Sequence, residues 1–414
     1  MQTNRNHWPS ILILIVFAMG VLTLLSISFV TAIASILDLF NNSEGAASEM
    51  IGAFAFGFEM ILLLICSWFV LQKAMGRAEA DKPFVFPFAK WQIFAIIGII
   101  VLSIAIGGGV AYTEIAWLAW IVLPVLTVLV IVPPLWLLFG LGTKGIELGP
   151  RWRVFGIFGL SMTVGPFIMI ILEIIVLLGI IVVGSVIVAI AQPALFQELA
   201  SMGKILEGET NPDRILSMVG PYLTNPIVIA TIVGYIAVIV PLIEELLKPL
   251  AVWIFATRIQ STAQGFAMGV LSGAGFALLE SLNASADGTT GWPVIVSIRA
   301  GTSLLHMTAS GLVGWGIASA FREKSIVRFF AAYFMSVTIH GIWNACAIGA
   351  GISALGESLG RPEWLFNFIP AMVGGMIVLG IGMFIVLIAS NRKLTKIPAA
   401  LPAPQIEKMD EGVQ

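Results

Sequence analysis

Ten apolar runs, each long enough to cross the hydrocarbon core of a bilayer, decide what this chain can fold into. They fall near residues 10–37, 51–72, 91–111, 116–139, 154–192, 226–257, 264–284, 294–321, 329–350 and 364–390, and a crossing needs about 20 apolar residues. The first is far longer than the roughly 7–15-residue core of a secretory signal, so it reads as a retained span. Nothing alternates apolar and polar at period two, which argues against a membrane β-barrel. The predicted class is therefore all-α, a polytopic bundle of about ten membrane helices. Only 11% of residues are charged, against about 25% in soluble domains, which excludes a soluble enzyme. The net charge of −2 offers no basic field for nucleic acid. Cys66 and Cys346, the only two cysteines, lie in apolar runs and read as packing thiols.

Lys and Arg set the expected orientation. With the N-terminus inside, the inner segments hold 16 of the 21 basic residues and the outer ones 3. Ten spans with both ends cytoplasmic, in the cell membrane, are predicted. The run 154–192, with Pro166 and Glu173, is too long for one simple crossing and reads as one tilted span or two. The stretch 193–225 is polar, acidic and predicted to lie outside. Past Asn391, Arg392, Lys393 and Lys396 precede a Pro/Ala-rich tail that reads as disordered. No internal repeat is visible.

Ionisable residues at membrane depth cost several kcal/mol each and mark function by default. Nine lie inside spans: Glu59, Glu173, Glu244, Glu245, Lys248, Glu280, Arg299, His306 and His340. Seven of these fall between 244 and 340, on four successive helices. The third histidine, His7, is in the N-terminal tail.

The sixth span reads Pro241-Leu-Ile-Glu244-Glu245-Leu-Leu-Lys248-Pro249. Lys248 follows the two acids by four and three residues and shares their face. Adjacent carboxylates at this depth do not both ionise without a cation or hydrogen-bond donors. Each proline removes an intrahelical hydrogen bond, at carbonyls 237 and 245, so a bent, locally wet helix is predicted. As a structural motif alone, the same set reads as a Glu–Lys pair plugging a polar interface. The seventh span carries Gly265, Gly269, Gly273 and Ala277 at steps of four, a stripe for close helix approach. Phe276 and Glu280 lie on a neighbouring face, Glu280 toward the outer end. The eighth span has His306 and Ser310, and the ninth His340 and Asn344, each pair one turn apart. Trp343 reads as packing, and Arg299, near the outer boundary, as snorkelling to headgroups.

Hydrolysis within a membrane needs a base for water and donors for a developing oxyanion. Glu244 or Glu245 suits the base, Lys248 balances the other acid, the histidines orient water, and an asparagine amide donates. Equally, one Glu with two His is a ligand set for catalytic zinc, here Glu244, His306 and His340. No H-E-x-x-H helix or intramembrane aspartate pair is present. Val270-Leu-Ser272-Gly273 lacks the first glycine of the rhomboid-type G-x-S-G.

In order, Glu244-Glu245-x-x-Lys248, Phe276 with Glu280, His306-x-x-x-Ser310 and His340-Gly-x-x-Asn344 resemble the PrsW intramembrane proteases, relatives of the CAAX prenyl protease-like group. The resemblance covers roughly 226–350. It implies a glutamate-dependent or metal-dependent membrane endopeptidase, with Glu244 as base, Glu245 its partner, His306 orienting water, and His340 with Asn344 donating to the oxyanion. Lys248, Glu280 and Ser310 are supporting residues. It also implies a membrane-anchored, anti-sigma-factor-like substrate cut on the extracytoplasmic side. Residues 1–225 then read as an accessory region, 226–350 as the protease-like core, and 351–414 as a last span with its tail. Two other functions use the same residues: a proton- or ion-coupled transporter built on the Pro-broken span, and a non-catalytic binder of membrane peptides.

Overall fold

The computed structural model describes residues 7–396, apart from 42, 44, 210, 224, 225 and 359–367. The Pro/Ala-rich tail predicted to be disordered lies outside the described residues. Among the described residues the structure is helical, with one isolated β-bridge, Pro83 to Pro150. Ten helices or helix combinations are long and apolar enough to cross a membrane, in agreement with the predicted class.

Helices α1 (Trp8–Phe40) and α2 (Ala46–Ala74) form a hairpin, and α3 (Trp91–Tyr112) pairs with α4 (Ala116–Gly142). The long fifth run divides into α5 (Arg151–Met162) and α6 (Val164–Ala191), with Thr163 between them at φ −121° and ψ −76°. Twelve residues of helix reach only about 18 Å, short of the roughly 30 Å core, so the two form one interrupted crossing. Helix α5 is buried in the bundle. Helix α6 is apolar all round and buries only Gly165, Pro166 and Met169, as expected of a helix surrounded by lipid. Two short helices, α7 (Pro193–Leu206) and α8 (Pro212–Leu223), then lead to the sixth span.

That span is broken, as its prolines predict. Helix α9 (Pro226–Gly234) opens into a π turn at Tyr235–Ile239, followed by α10 (Val240–Leu247) and, past Lys248 and Pro249, by α11 (Leu250–Ile254). Three long helices complete the fold with α15 (Ile369–Leu394): α12 (Thr262–Asn283), α13 (Trp292–Arg322) and α14 (Ile326–Ser358).

Helix α12 is the centre, and its glycine stripe is the reason. A Cβ on Gly269 would stand 2.1 Å from the Ser310 carbonyl oxygen, and one on Gly273 would stand 2.4 Å from that of His306. On α13, Gly314 meets the backbone of Gly265 and Gly269 in return. In lipid, where no hydrophobic force drives helices together, such backbone contact supplies the dispersion energy. The opposite side of α12 is equally tight, with Gly275 facing the Phe158 carbonyl of α5. Phe276 and Glu280 are thus held on a rigid axis beside His306.

Overpacking of this kind costs about 1–3 kcal/mol. Gly269→Ala is expected to lower the melting temperature of the detergent-purified protein. Gly98→Ala, at a site with nothing within 4 Å, is expected to leave it unchanged. Thermal unfolding of both variants in one detergent checks the comparison.

Candidate active site

Pro241 has no N–H to give, so the Ala237 carbonyl is released from the helix. Gly341 of α14 packs onto that carbonyl, a Cβ there standing 2.3 Å from it. One turn further along α14, the Asn344 amide donates to the Ile236 carbonyl at 2.9 Å, and Tyr333 donates its hydroxyl to the Leu242 carbonyl at 2.7 Å. One face of α14 therefore clamps the broken stretch. On the far side of the acids, the break at Pro249 leaves the Lys248 carbonyl without its helical partner. Ser272 of α12 donates to it at 2.6 Å, and Ser161 of α5 lies 2.6 Å from Ser272 Oγ.

Between these anchors, Glu244, Glu245 and Lys248 face His306 of α13 and His340 of α14. The Lys248 ammonium is the hub, with a fully buried side chain. Its Nζ lies 2.8 Å from Glu245 Oε1, 2.8 Å from His306 Nδ1, 3.4 Å from His340 Nδ1 and 2.8 Å from Glu244 Oε2. It also sits 4.6 Å from the centre of the Phe276 ring, within cation–π range.

The two glutamates differ. Glu245 is fully buried and its Oε1 takes bonds from Lys248 and from His340 Nδ1, the latter at 2.8 Å. Glu244 keeps 13% of its side chain exposed. Its Oε2 is close to the ammonium but out of line for a hydrogen bond, so its lone pairs stay uncommitted. The hydrogen-bond network also fixes the imidazoles. A lysine only donates, so His306 Nδ1 accepts and its proton sits on Nε2. A carboxylate only accepts, so His340 donates from Nδ1 and its Nε2 carries a free lone pair. That Nε2 lies 3.8 Å from Glu244 Oε2, a gap suited to a bridging water.

Glu280 joins from the outer side. Its Oε2 lies 2.5 Å from His306 Nε2, and its Oε1 lies 3.0 Å from Arg299 Nη1. Arg299, expected to reach the headgroups, is instead paired with this carboxylate. Ser310 is buried with no hydrogen-bond partner for its hydroxyl among the described residues, and its carbonyl faces Gly269. Asn344, expected as an oxyanion donor, has its amide engaged at Ile236. Trp343 packs against Leu305, Met376 and Met383. Glu59 stands apart from the group, fully buried and taking a 3.0 Å bond from Asn283, while the Glu173 backbone carbonyl accepts the Tyr235 hydroxyl. Residues the sequence reading missed are Ser161, Ser272 and Tyr333. Tyr333 alone carried a signal, lying seven residues before His340 and so on its face.

The model of the PrsW family intramembrane metalloproteases matches residues 149–379, more than half of the chain. The chain belongs to that family. No curated protein and no solved structure matches it. The PrsW match takes in α5 and α6 and the short helices after them, as well as the four-helix core.

The family description raises the question of a metal. Glu244, Glu245, His306 and His340 each bring a ligand atom within 4.8 Å of the others, and carboxylate with imidazole is a zinc-type donor set. Lys248 Nζ, however, stands among these atoms, at contact distance from each of the four residues. A divalent ion beside an ammonium at roughly 3 Å meets repulsion on the order of 10 kcal/mol, even at an effective dielectric of about 20. With Lys248 in place, the residues do not fit a metal ion.

Ser272→Ala leaves the Lys248 carbonyl unpaired in an apolar setting, a loss of about 1–3 kcal/mol. It is expected to lower the unfolding temperature. Ser297→Ala, which removes an exposed hydroxyl bonded within its own helix, is expected to change it little.

Proposed function

We propose that this PrsW protein is a multi-pass membrane endopeptidase that hydrolyses a peptide bond of a membrane-anchored protein by glutamate-activated water. The observation that carries the reading is the convergence of Glu244, Glu245, Lys248, His306 and His340 from three separated spans. Both ends of the chain are assigned to the cytoplasm by the Lys and Arg bias, and the substrate class suggested by resemblance is an anti-sigma-factor-like protein.

The proposed nucleophile is a water held between Glu244 and the free Nε2 of His340. Glu244, the more accessible and less committed acid, takes a proton from this water as its oxygen attacks the scissile carbonyl. The carbonyl π electrons move to oxygen, where the Lys248 ammonium supplies the opposing charge. When the C–N bond breaks, Glu244 returns the proton to the leaving nitrogen, so one water is consumed and the acid is regenerated. Glu245 holds Lys248 and the His340 tautomer. His306, held between Lys248 and Glu280, fixes the other side of the ammonium. Asn344 is assigned to holding the π turn, and Ser310 to packing. No step passes through a metal.

The test is cleavage of a single-pass reporter in proteoliposomes. Glu244→Gln, which keeps shape and removes basicity, is expected to reduce the rate by at least about 100-fold, with yield and melting temperature maintained. His340→Ala is expected to fall similarly. Full cleavage by the Glu244→Gln protein overturns the assignment, and ion flux abolished by that variant without any peptidase activity supports the transporter reading instead.

A further inference from the structure

We infer that Lys248 is the resident cation of this site, a tethered ammonium in the position a divalent ion would need, and that its removal turns the same four residues into a metal site. The inference concerns occupancy alone and holds whether or not a peptide is the substrate.

Three observations carry it. The first is position: Nζ lies within 2.8–3.4 Å of atoms from all four candidate ligands. A metal bound by these atoms would have to share that space. The second is the shape of the surroundings. Phe276 presents its ring face to Nζ at 4.6 Å and packs edge-on against His306, with ring centres 5.0 Å apart. An aromatic face satisfies an alkylammonium but gives a divalent ion neither a ligand nor a water. The third is anchorage. The Lys248 N–H bonds the Glu244 carbonyl at 2.7 Å, its own carbonyl is held by Ser272, and its side chain has no exposure. The lysine is fixed at its root and enclosed along its length, so no open space receives it if an ion enters.

The charge arithmetic agrees. Two carboxylates and two neutral imidazoles carry −2, which the ammonium reduces to −1, and the Arg299–Glu280 pair beside them adds nothing net. Without Lys248 the four donors keep −2 and an empty centre, the condition a zinc-type ion satisfies. The same residues therefore serve either a lysine or a metal.

The experiment measures zinc on the purified full-length protein. Wild type, Lys248→Met and Lys248→Arg are exposed to Zn²⁺, freed of excess and assayed on the monodisperse fraction by elemental analysis and competition with a chromophoric chelator. Wild type and Lys248→Arg are expected to retain almost no zinc. Lys248→Met is expected to hold about one ion per chain, at least roughly 100-fold more tightly than wild type, and to lose it when His306 and His340 are replaced by alanine. Folded Lys248→Met that gains no zinc overturns the inference. So does wild type that holds one zinc through His306 and His340, a result that stands even if Lys248→Met fails to fold. Because the readout is bound metal, these outcomes are independent of the proteolysis test.

Discussion

A full positive charge with no solvent contact governs the carboxyl-terminal half of this protein. Moving an ammonium out of water costs several kcal/mol even after relaxation, and Lys248 Nζ recovers that cost only because partners from three helices and the sixth span surround it. A lysine has three donors to place. Here Glu245 and His306 take bonds, the negative charge of Glu244 lies beside it, and the fourth side is closed by Phe276. If one of these elements moves away, the ammonium is left under-compensated. The group is therefore a packing constraint as much as a chemical one, fixing how α10, α12, α13 and α14 sit together.

That constraint can be met only if backbones come close. Phe276 and His306 touch because Gly269 and Gly273 let α12 lie against α13 with no side chain between them. Gly341 does the same for α14 against the broken sixth span. The breaks are useful in turn. Pro241 and Pro249 release carbonyls that a regular helix would consume, and Tyr333, Asn344 and Ser272 use those carbonyls as attachment points. Broken backbone at membrane depth is tolerated where protein satisfies its polar groups, and here the satisfying groups also aim the site.

How far this could be read from the sequence follows from the same physics. The ten spans are legible because bilayer thickness imposes a length on every crossing, and the intramembrane charges are legible because their cost makes them rare. The glycine stripe also reads directly, since steps of four select one helix face. Three-dimensional partnership is less visible. Arg299 looks like a headgroup contact from its depth, yet Glu280, 19 residues away on the adjacent helix, is what it meets. Asn344 shares a helix face with His340, but its amide turns to a carbonyl that exists only because the neighbouring span is broken. Ser161 and Ser272 are single serines in apolar helices, and their role depends on a backbone defect elsewhere. The Lys248 carboxylate partners follow from spacing. Its location among the imidazoles does not, because spacing within one helix says nothing of which neighbours surround it.

Glu244 and Glu245 show how identical neighbours acquire different work. Consecutive helical residues point about 100° apart, so one of the pair turns inward and the other stays near the open side. The inward one, Glu245, has no exposure and is committed to Lys248 and His340. Fixing the His340 proton on Nδ1 frees Nε2 toward Glu244, so the buried acid prepares the imidazole lone pair that the accessible acid faces. Two carboxylates whose environments separate in this way are the usual mark of divided acid–base roles. The division needs no difference in side-chain chemistry, only a helical turn and one lysine close enough to hold both charges.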